Sequence, residues 1–401
     1  MIKCLKHKYI GIVGLCFLNA CGGGSSGGSG GGNSYSPPTT TGYMSVSVSP
    51  TGVCSGSINI PCVSVTICNP NSTSSAVNCT TVPNVLLDTG SSGLRVFKEF
   101  LSGVTLPNVT SNGANIAECV TYGDNSQNWG PVVSANVQLT ADATATNIPI
   151  QEIDNSYPGA SSASCNSATA SPDSFGSNGI LGVSPVVHDS GPYYSCENGT
   201  CTGVTLATSL EVVNPIAMLS DDSYNNGLTL VFPSLGENGA SNITGSVILG
   251  VGTNGQNQII DNVKVYPSSA SSSFPIGMPV QFNSKNINGF LDTGSNFLFF
   301  NDSSIAGCSG NNMYCPTTTT SITPANLSNT GAYINTDISI ANANTVLGTN
   351  NTAFSNIGYD SSGTGLNGFF DYGLPFFFGK TVYIGFNTKS SSIESNAYWA
   401  F

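Results

Sequence analysis

The chain has 401 residues, and only 7% of them are charged: nine Lys and Arg against 21 Asp and Glu. Three of the basic residues, Lys3, Lys6 and Lys8, lie in the first eight positions, so six remain for the rest of the chain. That excludes a basic surface for a phosphate backbone, and so a nucleic-acid partner. The length admits two domains or one large two-lobed domain.

The three N-terminal lysines precede an apolar run at 9–18 and then Asn19-Ala20-Cys21, the order of a targeting segment. The run is too short for a permanent transmembrane helix. Leu18-Asn19-Ala20-Cys21 resembles a bacterial lipobox, which implies a signal peptide at 1–21 and lipidation of Cys21. An ordinary secretory signal with a chance Cys is the alternative. The Gly/Ser tract at 22–32 and the Pro/Thr run after it read as linker over 22–42, the tether that a lipid-anchored domain needs. By the same resemblance, Gly22 after the Cys implies an exported lipoprotein of the outer membrane, touching the membrane through its lipid alone.

Beyond this segment ten Cys remain: Cys54, Cys62, Cys68, Cys79, Cys119, Cys165, Cys196, Cys201, Cys308 and Cys315. An even number in an exported chain predicts up to five disulfides, with Cys196–Cys201 and Cys308–Cys315 as short local loops and the others unassigned. Neither a metal nor an organic cofactor is expected. No C-x-x-C spacing occurs, and His188 is the single His beyond the leader, too few for a two-His zinc site. His188 reads as a loop residue. Gly27-Gly28-Ser29-Gly30-Gly31 has the G-x-S-x-G spacing but lies in the linker, without strand or helix around it.

From Tyr43 onward, short alternating apolar runs separated by turn residues predict strands, among them 44–49, 62–68, 82–87, 132–139, 228–232, 259–266 and 381–386. One helix is expected, at 206–219, with Pro215 interrupting it. The fold class is therefore mainly β.

Two stretches repeat one pattern: an apolar run, Asp-Thr-Gly-Ser, and a second apolar run. They are Asp88-Thr89-Gly90-Ser91 and Asp292-Thr293-Gly294-Ser295, 204 residues apart (292 − 88). A carboxylate on a tight turn at a strand end projects into a cleft, and two such turns facing each other bring two carboxylates together. Both cannot ionise at that distance, so the pair shares one proton and titrates as a unit. The ionised member can activate a water while the protonated one donates to a carbonyl oxygen.

With these turns on the page, the chain from about residue 43 to 401 resembles the pepsin-like aspartic proteases. The resemblance implies a bilobal β fold with the active-site cleft between its lobes, divided here near residue 254 into 43–254 and 255–401. Gly179-Ile180-Leu181-Gly182 is similar to the family's apolar-apolar-Gly element beneath the first Asp. Gly368-Phe369-Phe370-Asp371-Tyr372-Gly373 is a looser second copy, with Asp371 where the family's Gly is expected. Gly245-Ser246-Val247-Ile248-Leu249-Gly250-Val251-Gly252 resembles the stretch that closes the first lobe. Thr121-Tyr122-Gly123 before Trp129-Gly130 is similar to the flap hairpin, with Tyr122 and Gly123 at its tip. The resemblance further implies that Thr89 and Thr293 hydrogen-bond across the lobe interface, that Ser91 and Ser295 hydrogen-bond the carboxylates, and that Gly90 and Gly294 supply backbone freedom.

Two departures stand out. Arg95 occupies the family's Trp position behind the flap Tyr, and Asn296 replaces a small hydroxyl residue. Arg95 serves either as a buried ion-pair residue or, if it reaches the dyad, as a group lowering the carboxylate pKa values. The implied activity is an aspartic endopeptidase using Asp88 and Asp292. Its partner is an extended polypeptide, and sparse charge in the cleft favours apolar side chains. A monomer is expected. Two other readings are a non-catalytic surface lipoprotein of this fold, binding peptides, host proteins or glycans, and a purely structural lipoprotein.

Overall fold

The computed structural model describes residues 38–401, apart from 50–53, 55–56, 72–77, 124–125, 167, 169–170, 269–275, 392–393 and 395. The lipobox, Cys21 and most of the linker lie outside the described residues. The described chain is mainly β, with a few short helical turns.

Strand sequences explain the layers. Tyr43–Val48 alternates outward Ser or Tyr with buried Met44, Val46 and Val48, the two-residue period of a half-buried strand. Ser92–Phe97 and Gly179–Val183 are buried on both faces; the second reads as a continuous apolar run, while the first carries the buried Arg95. Each Val or Leu so covered contributes roughly 1.5–3 kcal/mol.

Among the described residues, the strands form a 16-stranded, a seven-stranded and a two-stranded sheet. Within the largest, Cys62–Cys68 pairs with both Cys79–Asp88 and Gln127–Thr140. That double pairing closes a six-stranded barrel through Ala143–Ile153, Ser92–Phe97 and Gly179–Val183. The same sheet continues from Tyr43–Val48 through Ile243–Leu249, Gly227–Val231, Thr381–Gly385, Tyr398–Ala400 and Val265–Pro267. Strands from both sides of residue 254 thus share one layer, and the division expected there cuts through continuous pairing.

The seven-stranded sheet carries the second Asp turn on Lys285–Asp292. Its core is aromatic: Phe300 and Phe370 stack with centroids 5.2 Å apart, and Tyr372 lies 4.4 Å from Phe370. Such offset pairs contribute about 0.5–1.5 kcal/mol beyond burial.

The helix expected at 206–219 is not formed. The segment holds two 3-10 turns, Thr208–Leu210 and Pro215–Met218, with extended residues between. Pro215 cannot donate a hydrogen bond to a preceding turn, and Asn214 caps the new one by accepting from the Ile216 amide at 3.0 Å. The extended residues are tied to the 187–189 loop, with Asp189 donating to the Val212 carbonyl and Asn214 to that of Val187.

Five disulfides are present: Cys54–Cys62, Cys68–Cys79, Cys119–Cys165, Cys196–Cys201 and Cys308–Cys315. The two expected local loops are among them. Of the other three, Cys68 faces Cys79 directly across a strand pair, while Cys54–Cys62 and Cys119–Cys165 each join a strand to a loop residue.

Candidate functional site

Both Asp turns sit at the ends of strands that run parallel to a neighbour. Cys79–Asp88 pairs with Gly179–Val183, Asp88 opposite Gly182. Lys285–Asp292 pairs with Phe369–Gly373, Asp292 opposite Gly373. The chain leaves each strand through Thr-Gly-Ser and returns antiparallel along the same neighbour, as Ser92–Phe97 and Leu298–Phe300. A side chain on Gly182 or Gly373 would strike the backbone of that returning turn. This register corrects the sequence alignment: Gly373, not Asp371, is the glycine facing the second Asp. Asp371 occupies the position of Ile180 in the first copy, two residues earlier.

Asp88 and Asp292 are completely buried. The Gly90 amide donates to Asp88 Oδ1 at 2.9 Å, and Ser91 Oγ donates to Asp88 Oδ2. The Gly294 amide donates to Asp292 Oδ1 at 2.8 Å, and Ser295 Oγ to Asp292 Oδ2 at 2.9 Å. A Cβ on Gly90 would lie 2.5 Å from Asp292 Cγ, and one on Gly294 2.6 Å from Asp88 Oδ1. Neither glycine has positive φ. They are needed because the opposite carboxyl group fills the space a side chain would take, rather than for backbone freedom.

The two carboxyl groups adjoin: one Cβ placed on Gly294 would lie 2.6 Å from Asp88 Oδ1 and 3.0 Å from Asp292 Oδ1. The Asp88 carboxyl is pushed well above its usual range, first by burial and then by the charge of Asp292.

Thr89 and Thr293 lock the turns together. The Thr89 amide donates to Thr293 Oγ1 at 3.1 Å, and the Thr293 amide to Thr89 Oγ1 at 2.9 Å. Each hydroxyl in turn donates across the interface, Thr89 to the Leu291 carbonyl and Thr293 to that of Leu87. The Asn296 backbone carbonyl accepts from Asn59 Nδ2 at 2.9 Å, and its side-chain amide donates to Ser57 Oγ at 3.3 Å, which ties the loop before Cys62 to the second turn.

Tyr122 and Gly123 follow Ala114–Thr121 in a hairpin with Gln127–Thr140. Tyr122 is buried, not poised in open space. Its hydroxyl accepts from Asn128 Nδ2 at 2.7 Å, its ring packs on Phe175, and burial pushes its phenol pKa up. Gly123 forms the hairpin tip, with its carbonyl 2.8 Å from the Cβ position of Gly365. The hairpin therefore reaches from the barrel to the loop after Ser361–Gly363.

Arg95 lies under the hairpin and turns away from the dyad. It donates to the Ser92 carbonyl at 2.7 Å, to Glu118 Oε1 at 2.8 Å and to Asp189 Oδ2. Burial opposes its charge, but Glu118 and Asp189 outweigh it and hold the guanidinium pKa up. Glu118 and Asp189 were missed from sequence. A lone acid in the apolar strand 114–121, in a chain this poor in charge, was the available signal.

A pocket of about 460 Å³ opens beside the first turn, lined by Gly90, Ser91, Arg95, Glu118, Tyr122 and Asp189. His188 lines its far side, half-buried, with Nδ1 3.9 Å from Glu211 Oε2 and its pKa lowered by burial. A larger groove, about 670 Å³, runs past Gln281, Asn283 and Asp302, away from the dyad and without a buried acid. Among the described residues, no group of three or more His, Cys, Asp or Glu could hold a metal ion.

The chain matches the DUF3443 family, described as a protein of unknown function, over residues 38–401, and it belongs to that family. No curated protein matches it.

Proposed function

We propose that this DUF3443 chain is an aspartic endopeptidase of the pepsin-like type, with Asp88 and Asp292 as its catalytic residues. One observation carries the reading: two wholly buried carboxyl groups, on turns of the same sequence and geometry, brought against each other. The ionised member takes a proton from a water between them. That water attacks the scissile carbonyl, the protonated member donates to the carbonyl oxygen, and a dyad proton passes to the leaving amine. Ser91, Ser295 and the Gly90 and Gly294 amides hold the carboxyl oxygens through these steps.

The barrel and the seven-stranded sheet are the two lobes of this reading, each giving one Asp. The substrate is an extended polypeptide lying between them beneath the hairpin. The hairpin is the flap, and its contact at Gly365 must open to admit the chain. Arg95, Glu118 and Asp189 lie in the wall of the pocket beside the first turn, but they are buried and paired with one another, which leaves the apolar preference suggested by composition in place. The five disulfides agree with an oxidising compartment, and the Cys21 anchor with export to the outer membrane.

The full burial of both carboxyls favours a second reading, a non-catalytic module holding peptide, host protein or glycan in the same cleft. The purified chain is to be given mixed peptides from about pH 3 to 7, with and without a mimic of the tetrahedral intermediate. Acid-favoured cleavage, blocked by the mimic and lost in Asp88→Asn and in Asp292→Asn, is expected. A folded chain that neither cleaves at any pH nor binds the mimic leaves the second reading standing.

A further inference from the structure

A third carboxyl group is wired to the dyad. Ser295 Oγ lies 2.9 Å from Asp292 Oδ2 and 2.6 Å from Asp371 Oδ2. A hydroxyl has one proton and cannot donate to two carboxylates, so one of these two groups must donate to it. Asp371 is completely buried, and its Oδ1 has no hydrogen-bond partner among the described residues. Its strand neighbours are apolar: Phe290 faces it from one side and Phe299 from the other. The titratable groups facing it are Asp292, at the end of Lys285–Asp292, and Asp88, at the end of Cys79–Asp88. Both are acids, and among the described residues no Lys, Arg or His acts on Asp371.

An ionised carboxylate with an unpartnered oxygen in such a place is far costlier than a neutral acid with an idle carbonyl. Burial first, then the charge of Asp292, raises the Asp371 carboxyl well above its usual range. Asp371 is therefore the donor: its proton goes to Ser295 Oγ, and the Ser295 proton goes to Asp292. The first turn lacks this arrangement. Ser91 donates to Asp88, but Ile180 fills the position that Asp371 holds in the second copy.

We propose that Asp371 is a neutral positioning acid that breaks the symmetry of the dyad. By donating to Ser295 it commits the serine proton to Asp292. Asp292 becomes the ionised member, the one that takes the proton from water, and Asp88 carries the shared proton. The catalytic part of this inference rests on the endopeptidase reading; the protonation of Asp371 does not.

The test has two arms, both on the full chain. The first is infrared difference spectroscopy at neutral pH in an Asp88→Asn background, where the usual carrier of the shared proton is gone. A carbonyl stretch from a protonated acid, lost when Asp371→Asn is added, is expected. Its absence means that Asp371 is ionised and overturns the proposal, whether or not the chain cleaves peptides. The second is the pH profile of kcat/KM. Asp371→Ile, the residue of the first copy, removes the donor behind Ser295 and destabilises the Asp292 carboxylate. The acid limb should then rise by about one pH unit, with kcat lowered and KM little changed. Asp371→Asn keeps an N–H donor and should restore the limb. An unmoved limb in Asp371→Ile overturns the coupling. A limb that falls in either variant shows that a negative charge was removed, and overturns the neutral assignment. A wild-type chain without activity counts against the endopeptidase reading alone, since the infrared arm still decides Asp371.

Discussion

Thr89 and Thr293 are bonded reciprocally across 204 residues of chain, each hydroxyl accepting the other's amide and donating to the carbonyl before the other's Asp. All four groups are buried, so removing one hydroxyl strands an N–H and a carbonyl together. Thr89→Val or Thr293→Val should each cost about 1–3 kcal/mol in denaturant melts, and the double variant less than the sum. Thr→Ser at either site should stay close to wild type. Additive losses would mean that the two turns do not act as one unit.

Gly90 can carry no side chain while Asp292 stays in place. In Gly90→Ala the new Cβ meets the Asp292 carboxyl carbon at 2.5 Å, so the two carboxyls must part. The fold should survive, with a loss of about 1–3 kcal/mol from overpacking, while cleavage disappears. An active, normally stable Gly90→Ala chain would show that the paired geometry is not what the activity needs.

Arg95 balances two acids beneath the hairpin, and its removal leaves them buried and unpaired. Arg95→Met should lose about 3–5 kcal/mol at neutral pH. The loss should shrink in acid, because Glu118 can then protonate. Urea melts at two pH values read this directly, and a loss of equal size at both would assign Arg95 a packing role only.

The pH dependence of stability has a definite sign. The carboxyls of Asp88 and Asp371 are both held above their ordinary range, with burial the first cause in each. The folded chain therefore keeps protons that the unfolded chain releases. Stability is highest below the unfolded carboxyl values, near about 4, and falls as pH rises toward the folded ones. Asp142 and Asp154 run the other way: burial opposes, but hydrogen bonds from Thr140 and Tyr224, and from Lys98 and Ser156, hold them low. Their contribution is present at neutral pH and fades as pH falls below about 4. Thermal melts should give a higher Tm at about pH 4.5 than at about pH 7.5. A Tm that rises with pH would mean that these buried acids are ionised in the fold.

Cys119–Cys165 closes the longest of the five disulfide loops, 46 residues, and holds the hairpin's first strand to the 154–166 segment. Replacing both Cys by Ala should cost about 4 kcal/mol if loop entropy dominates. The two-residue strand pair Cys196–Cys201 should cost less, and calorimetry of the two variants compares them.

What the residues determined by themselves was everything carried by neighbours in the chain. The two Asp-Thr-Gly-Ser turns were legible because Gly amide and Ser hydroxyl reach back only two or three residues to the Asp. Most strands were legible from two-residue alternation, although the one expected at 259–266 forms only as Val265–Pro267, and Cys196–Cys201 and Cys308–Cys315 were legible from short spacing. Only the tertiary structure decided what depends on register. It put Gly373 opposite Asp292 and so moved Asp371 from an apparent glycine site to a buried acid behind Ser295. It turned Arg95 toward Glu118 and Asp189, paired the three remaining disulfides, and drew 206–219 out into an extended tie to the 187–189 loop. A one-residue slip in a strand sends every side chain to the other face, and nothing local in the sequence states which register holds. The burial of a charge follows from that register.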